Sequence, residues 1–404
     1  MAASARTLTS SLRNSSPRRG FWNDQRENSY LVVAVVVFAL YPFFDEWLSI
    51  GRLGSLGSIM IYVILAMGLN IVVGYAGLLD LGYAAFFAIG AYTMGFLTSP
   101  KSYFIQAGHV PDWMQNFWPA LAVSWIVAAI FGVLLGAPTL RLRGDYLAIV
   151  TLGFGEIVPN FFLNAEGITN GTRGLNPIEK PSTFTLFGNQ ISFSPTDQDH
   201  WYWLILVIGV FSLLMIRRFY NSRLGRTWQA VREDEVAAAS MGVNLVKTKL
   251  WAFALGASFA GFAGSISASY FQYVHPANFQ FIVSITILAM VVLGGLGNMY
   301  GVIAGALLIG FFDRILTEEL TPPMNDFGEW AGINFLANHN LTQDKFLVFG
   351  LALVLTMLLR PAGLFPSAQR KAELHPDDDD MSTHDQQQMY DIREHDEPGA
   401  GARA

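Results

Sequence analysis

The sequence predicts an all-α fold: a polytopic membrane helix bundle of about ten spans, some short or broken, with a helix in one connecting loop. Three observations carry this expectation. Of 404 residues, 52% are hydrophobic and 14% charged, where soluble domains run near ~25% charged. Apolar runs close to the ~20 residues that cross a bilayer as a helix recur along the chain. Lys and Arg are distributed unevenly between the segments that join those runs. The chain has no cysteine, which excludes disulfides and thiolate metal sites. Its seven histidines are scattered, so no metal and no cofactor is expected.

In chain order, residues 1–29 are polar and rich in Ser and Arg, with Asp24 the first acid. They are too polar for a signal peptide and are expected to form a disordered cytoplasmic arm. The apolar runs follow: Tyr30–Phe44, Leu53–Val73, Leu78–Leu97, Phe117–Ala137, Tyr146–Leu163, Tyr202–Ile216, Leu250–Tyr270, Phe281–Leu296, Tyr300–Leu316 and Phe346–Leu359. Trp and Tyr mark many of their ends, as at Trp201-Tyr202-Trp203. With the N-terminus inside and ten alternating spans, 19 of the 25 Lys and Arg lie on the cytoplasmic side. Seven of these fall between Arg217 and Lys249. The outer loop Thr317–Asp344 holds five acids and no base. Both termini are therefore expected in the cytoplasm.

The outer loop Asn164–His200 is rich in Gly and Pro. Phe184–Phe187 and Gln190–Phe193 flank Gly188-Asn189 and predict a small hairpin. Beyond Pro366 the chain turns polar, and Asp377–Asp380 is a like-charge block. Residues 367–404 are expected to be a disordered acidic cytoplasmic tail. The chain thus divides into an arm (1–29), a transmembrane domain (30–366) and a tail (367–404).

Within the spans, Gly256, Ala260 and Gly264 recur every four residues with Gly261 beside them, and Gly301 and Gly305 do the same. Such stripes let helix backbones approach closely. Val72–Gly90 loosely echoes Val292–Gly310, each an apolar run, a Gly-rich turn and a small-residue span, as in transporters built from internal repeats. Asp80, Asp145 and Asp313 lie at or within spans, and the first two are read as span-end residues at the interface. Glu156 lies mid-span in Leu-Gly-Phe-Gly-Glu-Ile-Val-Pro-Asn. Gly153, Gly155 and Pro159 weaken the helix around it, so a discontinuous span lining a pathway is one reading. A partner for Glu156 within the bundle is the other.

The segment Arg217–Met241 is polar, basic at its start and helical in composition. Thr227 is placed as its N-cap. Trp228, Val231, Glu235, Ala238 and Gly242 share one face at spacings of three and four. One helix over Thr227–Met241 is expected to dock in a groove of a cytoplasmic partner, with Trp228 and Val231 as apolar anchors and Arg232 and Glu235 as rim charges. Gly242 would terminate it. A solvated connecting helix is the alternative. No G-x-x-x-x-G-K-[ST], H-E-x-x-H or G-x-S-x-G occurs, so no enzymatic activity is expected. Any ATP that drives transport would be hydrolysed on another chain.

Four stretches together resemble the LivM-type permease of bacterial branched-chain amino-acid ABC transporters. They are G-Y-A-G-L-L-D-L-G-Y-A-A-F-F-A-I-G-A-Y from Gly74, R-L-R-G-D-Y-L-A-I-V-T-L-G-F-G-E-I from Arg141, G-R-T-W-Q-A-V-R-E-D-E-V-A-A-A-S-M-G-V-N from Gly225 and R-P-A-G-L-F from Arg360. They stand in family order and, with the spans between them, cover about residues 30–366. The third resembles the family's coupling loop but departs from the general E-A-A-x-x-x-G pattern. Glu235 sits one residue early, Val236 takes the acid's place, and no Leu-Pro follows.

The resemblance implies a bacterial inner-membrane protein that imports leucine, isoleucine and valine. It implies a homologous second permease, two cytoplasmic ATPase subunits and an extracytoplasmic substrate-binding protein as partners, with membrane lipid around the bundle and no nucleic acid. A urea or other amino-acid permease of the same family is the near alternative. An ion-coupled secondary transporter with Glu156 as coupling group is the alternative of another class.

Overall fold

The computed structural model describes residues 36–46, 51–139, 145–186, 189–194, 197–331, 341–360 and 363–365. The expected arm and tail lie outside the described residues, as does the start of the first apolar run. All ten apolar runs carry helix. They are α1 (36–46), α2 (Leu53–Leu69), α3 (Tyr83–Thr98), α4 (Phe117–Thr139), α5 (Asp145–Asn164), α6 (Gln198–Tyr220), α9 (Leu245–Phe271), α10 (Phe281–Gly294), α11 (Met299–Phe311) and α13 (Leu341–Leu359). Between α6 and α9 lie α7 (Arg223–Glu233) and α8 (Glu235–Ser240), and α12 (Thr317–Ala331) precedes α13. Six segments among the described residues are both long and apolar enough to span alone.

Burial sorts these helices into a centre and a rim. The spans Leu53–Tyr75 and Leu245–Phe271 are 83% and 72% buried, whereas those of α4, α5 and α6 are 28–33% buried. The first two form the core, and the others turn one side outward. In hydrocarbon, helices gain from close packing rather than from hiding apolar surface from water. The small-residue stripe of α9 does this within its own chain. A Cβ on Gly264 would overlap the Phe87 carbonyl of α3, and Gly90 of α3 lies equally close to Gly261. Gly301 and Gly305 seat α11 against Gly294 and Met290 of α10.

The helices run between two ends. At one end Gly54 N–H donates to Gln198 (3.0 Å), Tyr270 OH donates to the Gly54 carbonyl (3.0 Å), and Leu175 pairs with Val274. The expected hairpin lies in this region, with Phe184–Leu186 (β1) antiparallel to Asn189–Ile191 (β2). Residues 187 and 188 between them lie outside the described residues. At the other end the Tyr75 and Tyr220 rings sit 4.6 Å apart, and Leu364 N–H donates to the Leu293 carbonyl (2.9 Å). The two Gly-rich turns of the weak repeat also meet here, where Gly297 N–H donates to Asn70 Oδ1 (3.0 Å). The basic segment 217–249 and residues 363–365 share this end.

Two expectations about breaks are corrected. Helix α5 is continuous from Asp145 to Asn164, with Pro159 inside it. Proline removes only the hydrogen bond to the Gly155 carbonyl, and the turns on either side hold the helix. The discontinuity is instead at the start of the third apolar run. A π-helical turn, Asn70–Tyr75, ends α2, and α3 does not begin until Tyr83. Gly77 at φ +70 reverses the chain, a conformation that side chains with a Cβ rarely adopt. Leu78 N–H then folds back on the Val72 carbonyl (3.0 Å).

Candidate functional site

The basic segment forms two helices, not one. Ser222, not Thr227, is the first cap: its hydroxyl accepts from Gly225 N–H (3.3 Å). Thr227 lies inside α7, donating to the Arg223 carbonyl (2.8 Å). Asp234 leaves the helical region at φ −153, and its carboxylate accepts from Val236 N–H (2.7 Å) and Ala237 N–H (3.0 Å). An aspartate that captures the first free N–H groups of a helix opens a new one, so α7 ends and α8 begins. Gly242 stands at φ +86, with Val243 N–H on the Ala238 carbonyl (3.1 Å), closing α8 as expected.

The shared face read from the sequence exists, but it turns toward the chain's own bundle. Trp228, Val231 and Ala238 are buried. The Trp228 indole N–H donates to the Thr248 carbonyl at the start of α9 (2.9 Å). Trp228 and Val231 are therefore internal anchors, not exposed contacts for a partner. Glu235 pairs with the buried Lys249 of α9. The outward side carries Val236 and Met241, 68% and 85% exposed, with Ala237 and Ala239 exposed between them. An apolar stripe on a short polar helix covers the nearest dry surface, and here that surface is the bundle. The exposed Val236 was visible in the sequence as the residue standing where the resembled pattern has an acid.

Arg232 leads from this segment into the bundle. Its guanidinium donates to the Gly74 carbonyl, and its stem packs on Gly77. The segment 74–82 then runs to α5. Leu81 N–H donates to Thr151 Oγ1 (3.0 Å), and Thr151 in turn donates to the Ala148 carbonyl (3.0 Å). Gly82 faces the Thr151 carbonyl so closely that a Cβ would overlap it, and a Cβ on Gly155 would lie 3.0 Å from the Gly82 Cα. Ala84 N–H, at the start of α3, donates to Ser284 Oγ of α10 (2.9 Å). Arg232, the 74–82 segment, Thr151 and Gly155 thus touch in series.

Asp80 lies in the middle of that series and is 1% exposed, which corrects its reading as an interface residue. Its Oδ1 accepts from Gly82 N–H (2.9 Å), and Oδ2 has no partner among the described residues. Nothing local signals this burial, because its neighbours Leu79 and Leu81 read as an ordinary helix start.

The four candidate pathway residues of α5 divide by face. Gly155 and Pro159 are buried, and Gly155 serves the contact with Gly82. Glu156 is exposed and has no ion pair or side-chain hydrogen bond, so an internal partner within the bundle is not present among the described residues. Gly153 has no heavy atom within 4 Å of where a Cβ would stand. No group of three or more His, Asp or Glu side chains among the described residues is placed to hold a metal.

A family model described as "Branched-chain amino acid transport system / permease component" matches residues 51–329. The high-affinity branched-chain amino acid transport system permease protein LivM of Escherichia coli is 39% identical over 365 residues, covering 86% of this chain and 77% of the relative. LivM of Salmonella typhimurium matches equally. The permease protein LivH of Salmonella typhimurium is 23% identical over 279 residues, covering 67% of this chain and 86% of the relative. No solved structure matches.

Proposed function

The chain belongs to the permease-component family of branched-chain amino acid transport systems, and from that premise we propose that it is the membrane-spanning permease of an ATP-driven importer of branched-chain amino acids. It is a multi-pass membrane protein. Its partners in this reading are a second, related permease, two cytoplasmic ATPase subunits and an extracytoplasmic binding protein. The pairing of two permeases is supported by relatives of both the LivM and LivH kinds. ATP hydrolysis belongs to the ATPase subunits.

The contact series from α7 to α5 carries the coupling part of this reading. The exposed face of α8, with Val236, Ala237 and Met241, offers the ATPase a shallow apolar surface. Trp228, Val231, Ala238 and the Glu235–Lys249 pair make α7 and α8 rigid on the bundle, so a push on that face is not absorbed by a loose loop. Arg232 passes the displacement to the 74–82 segment, and Thr151 and Gly155 pass it to α5, whose exposed side faces the translocation path. Gly242 sets the turn between α8 and α9. Energetic coupling through such a series requires packed elements with two arrangements, and the non-helical 76–82 stretch is the joint that permits them.

Co-purification tests the assembly. The tagged chain should retain the two ATPases and the second permease, and Met241→Glu, which places a charge on the exposed α8 face, should lower ATPase recovery roughly tenfold or more. Undiminished recovery would move the docking surface elsewhere.

Orientation has its own expected result, made accessible by the absence of cysteine. In intact cells a membrane-impermeant thiol reagent should label His109→Cys and leave Arg226→Cys untouched. Labelling of Arg226→Cys from outside would reverse the topology, and with it the placement of both termini in the cytoplasm.

A further inference from the structure

Helix α5 carries Glu156, Asn160 and Asn164 at steps of four. They form one line on its exposed side, each about 6 Å from the next along the axis. Glu156 is the twelfth residue of a twenty-residue span, which puts its carboxylate near mid-membrane. A charge at that depth facing lipid is expensive, so the line meets water, a partner or a solute.

One donor of each asparagine is held by the helix itself. Asn160 Nδ2 donates to the Glu156 backbone carbonyl (2.8 Å), and Asn164 Nδ2 donates to the Asn160 carbonyl (2.8 Å). A backbone carbonyl accepts only from the NH₂ side of an amide, which fixes the orientation of both side chains. What remains outward is one carboxylate, two amide oxygens and one N–H on each amide, so the line is rich in acceptors and its one charge is negative. Exposed Ile157 and Phe161 stand beside the line, 61% and 57% accessible, and the open space at Gly153 lies one turn below.

We propose that Glu156, Asn160 and Asn164 receive the ammonium group of a zwitterionic amino acid, while Ile157, Phe161 and the space at Gly153 meet its apolar side chain. The assignment rests on α5 lining the path. A primary ammonium brings three N–H donors, a positive charge and no acceptor, the complement of a line whose one charge is the Glu156 carboxylate and whose amide oxygens can accept. The carboxylate supplies the countercharge mid-membrane, and the amide oxygens supply further steps on the outer side of it. An uncharged solute would leave the Glu156 charge uncompensated at the point where that costs most.

The test uses single cysteines at Asn160 and Asn164 in the assembled, detergent-purified complex. Cationic aminoethyl methanethiosulfonate should react with Asn160→Cys faster than anionic sulfonatoethyl methanethiosulfonate, on the order of tenfold. Adding Glu156→Gln should erase that preference. Saturating leucine should protect the cysteine, and isocaproate, the same carbon skeleton without the amine, should not. Protection by leucine should be lost in Glu156→Gln.

Failure of both cysteines to react would remove α5 from the path and overturn the reading beneath the proposal. Reaction with equal protection by leucine and isocaproate, or full leucine protection in Glu156→Gln, would leave the path in place and overturn the ammonium assignment. Loss of the second permease on Glu156→Gln would also overturn it, by showing that the carboxylate pairs with that subunit.

Discussion

Trp228→Ala should leave a chain that inserts and pairs with the second permease but neither retains its ATPases nor shows substrate-stimulated ATP hydrolysis. The indole is fully buried beneath α7 and donates its N–H to the Thr248 carbonyl. Truncating a buried Trp typically costs ~3–5 kcal/mol, and the Thr248 carbonyl keeps only its partner within α9. The loss falls on a two-helix segment with few other anchors: Val231, Ala238, Arg232 and the Glu235–Lys249 pair. With that anchor gone the segment is expected to detach while the bundle below stays folded. Trp228→Phe separates packing from hydrogen bonding. It keeps most of the apolar contact and should lose only ~1 kcal/mol, with recruitment largely intact. Co-purification of the ATPases and hydrolysis in reconstituted complexes are the readouts. Normal values for Trp228→Ala would mean that α7 and α8 do not need the bundle to present their outer face.

Gly264→Leu should be the most damaging single change within the bundle. Gly264 stands where α9 crosses α3, and even a Cβ would overlap the Phe87 carbonyl and lie 2.9 Å from Ala91 N. Both are helix backbone atoms, which cannot rotate away as a side chain does. The two helices must separate, and with them the contacts of Gly90 with Gly261 and of Tyr83 OH with the Gly256 carbonyl (2.9 Å). Overpacking commonly costs ~1–3 kcal/mol where neighbours can move, and here they cannot. The expected result is loss of a monodisperse, protease-resistant chain in detergent. Gly209→Leu, at a site with nothing within 4 Å, is the control and should purify as the parent does. Survival of Gly264→Leu with unchanged thermal stability would remove the α3–α9 crossing from the centre of the fold.

Much of the architecture was legible because hydrocarbon restricts what a chain can do. Every apolar run carries helix among the described residues, since an unpaired backbone has no partner in lipid. The glycine stripes marked crossings for the same reason. The hairpin followed from turn chemistry, but its register did not: Asn189, expected in the turn, pairs with Leu186. The errors share a physical origin. Periodicity finds the face of a helix but not what covers it, so the apolar side of Arg217–Met241 was given to a partner when its own bundle was nearer. Asp234 acted as a cap inside what reads as one helix because its carboxylate competes for the N–H groups just after it.

Gly153, Gly155 and Pro159 read as a break in α5, yet Gly155 is there for the approach of Gly82, a contact 73 residues away along the chain. The break fell at Gly77–Gly82, where the glycines sit among leucines that resemble a span. Asp80 was hidden by the same leucines. Tertiary contacts between distant residues leave no local pattern, and the series from Arg232 through Gly74 and Leu81 to Thr151 consists of nothing else.

That series is the centre of the account, and Thr151→Val tests it most directly. Valine keeps the shape of threonine and removes the acceptor for Leu81 N–H. Leaving a partly buried donor unmatched costs ~1–3 kcal/mol, spent where the 74–82 segment meets α5 and far from the outer face of α8. In proteoliposomes holding the binding protein and both ATPases, leucine uptake per ATP hydrolysed should fall roughly fivefold or more, with ATPase recovery and basal hydrolysis at parental levels. Parental uptake per ATP in Thr151→Val would contradict the account, because displacement of the coupling segment would then reach the path without passing through this contact.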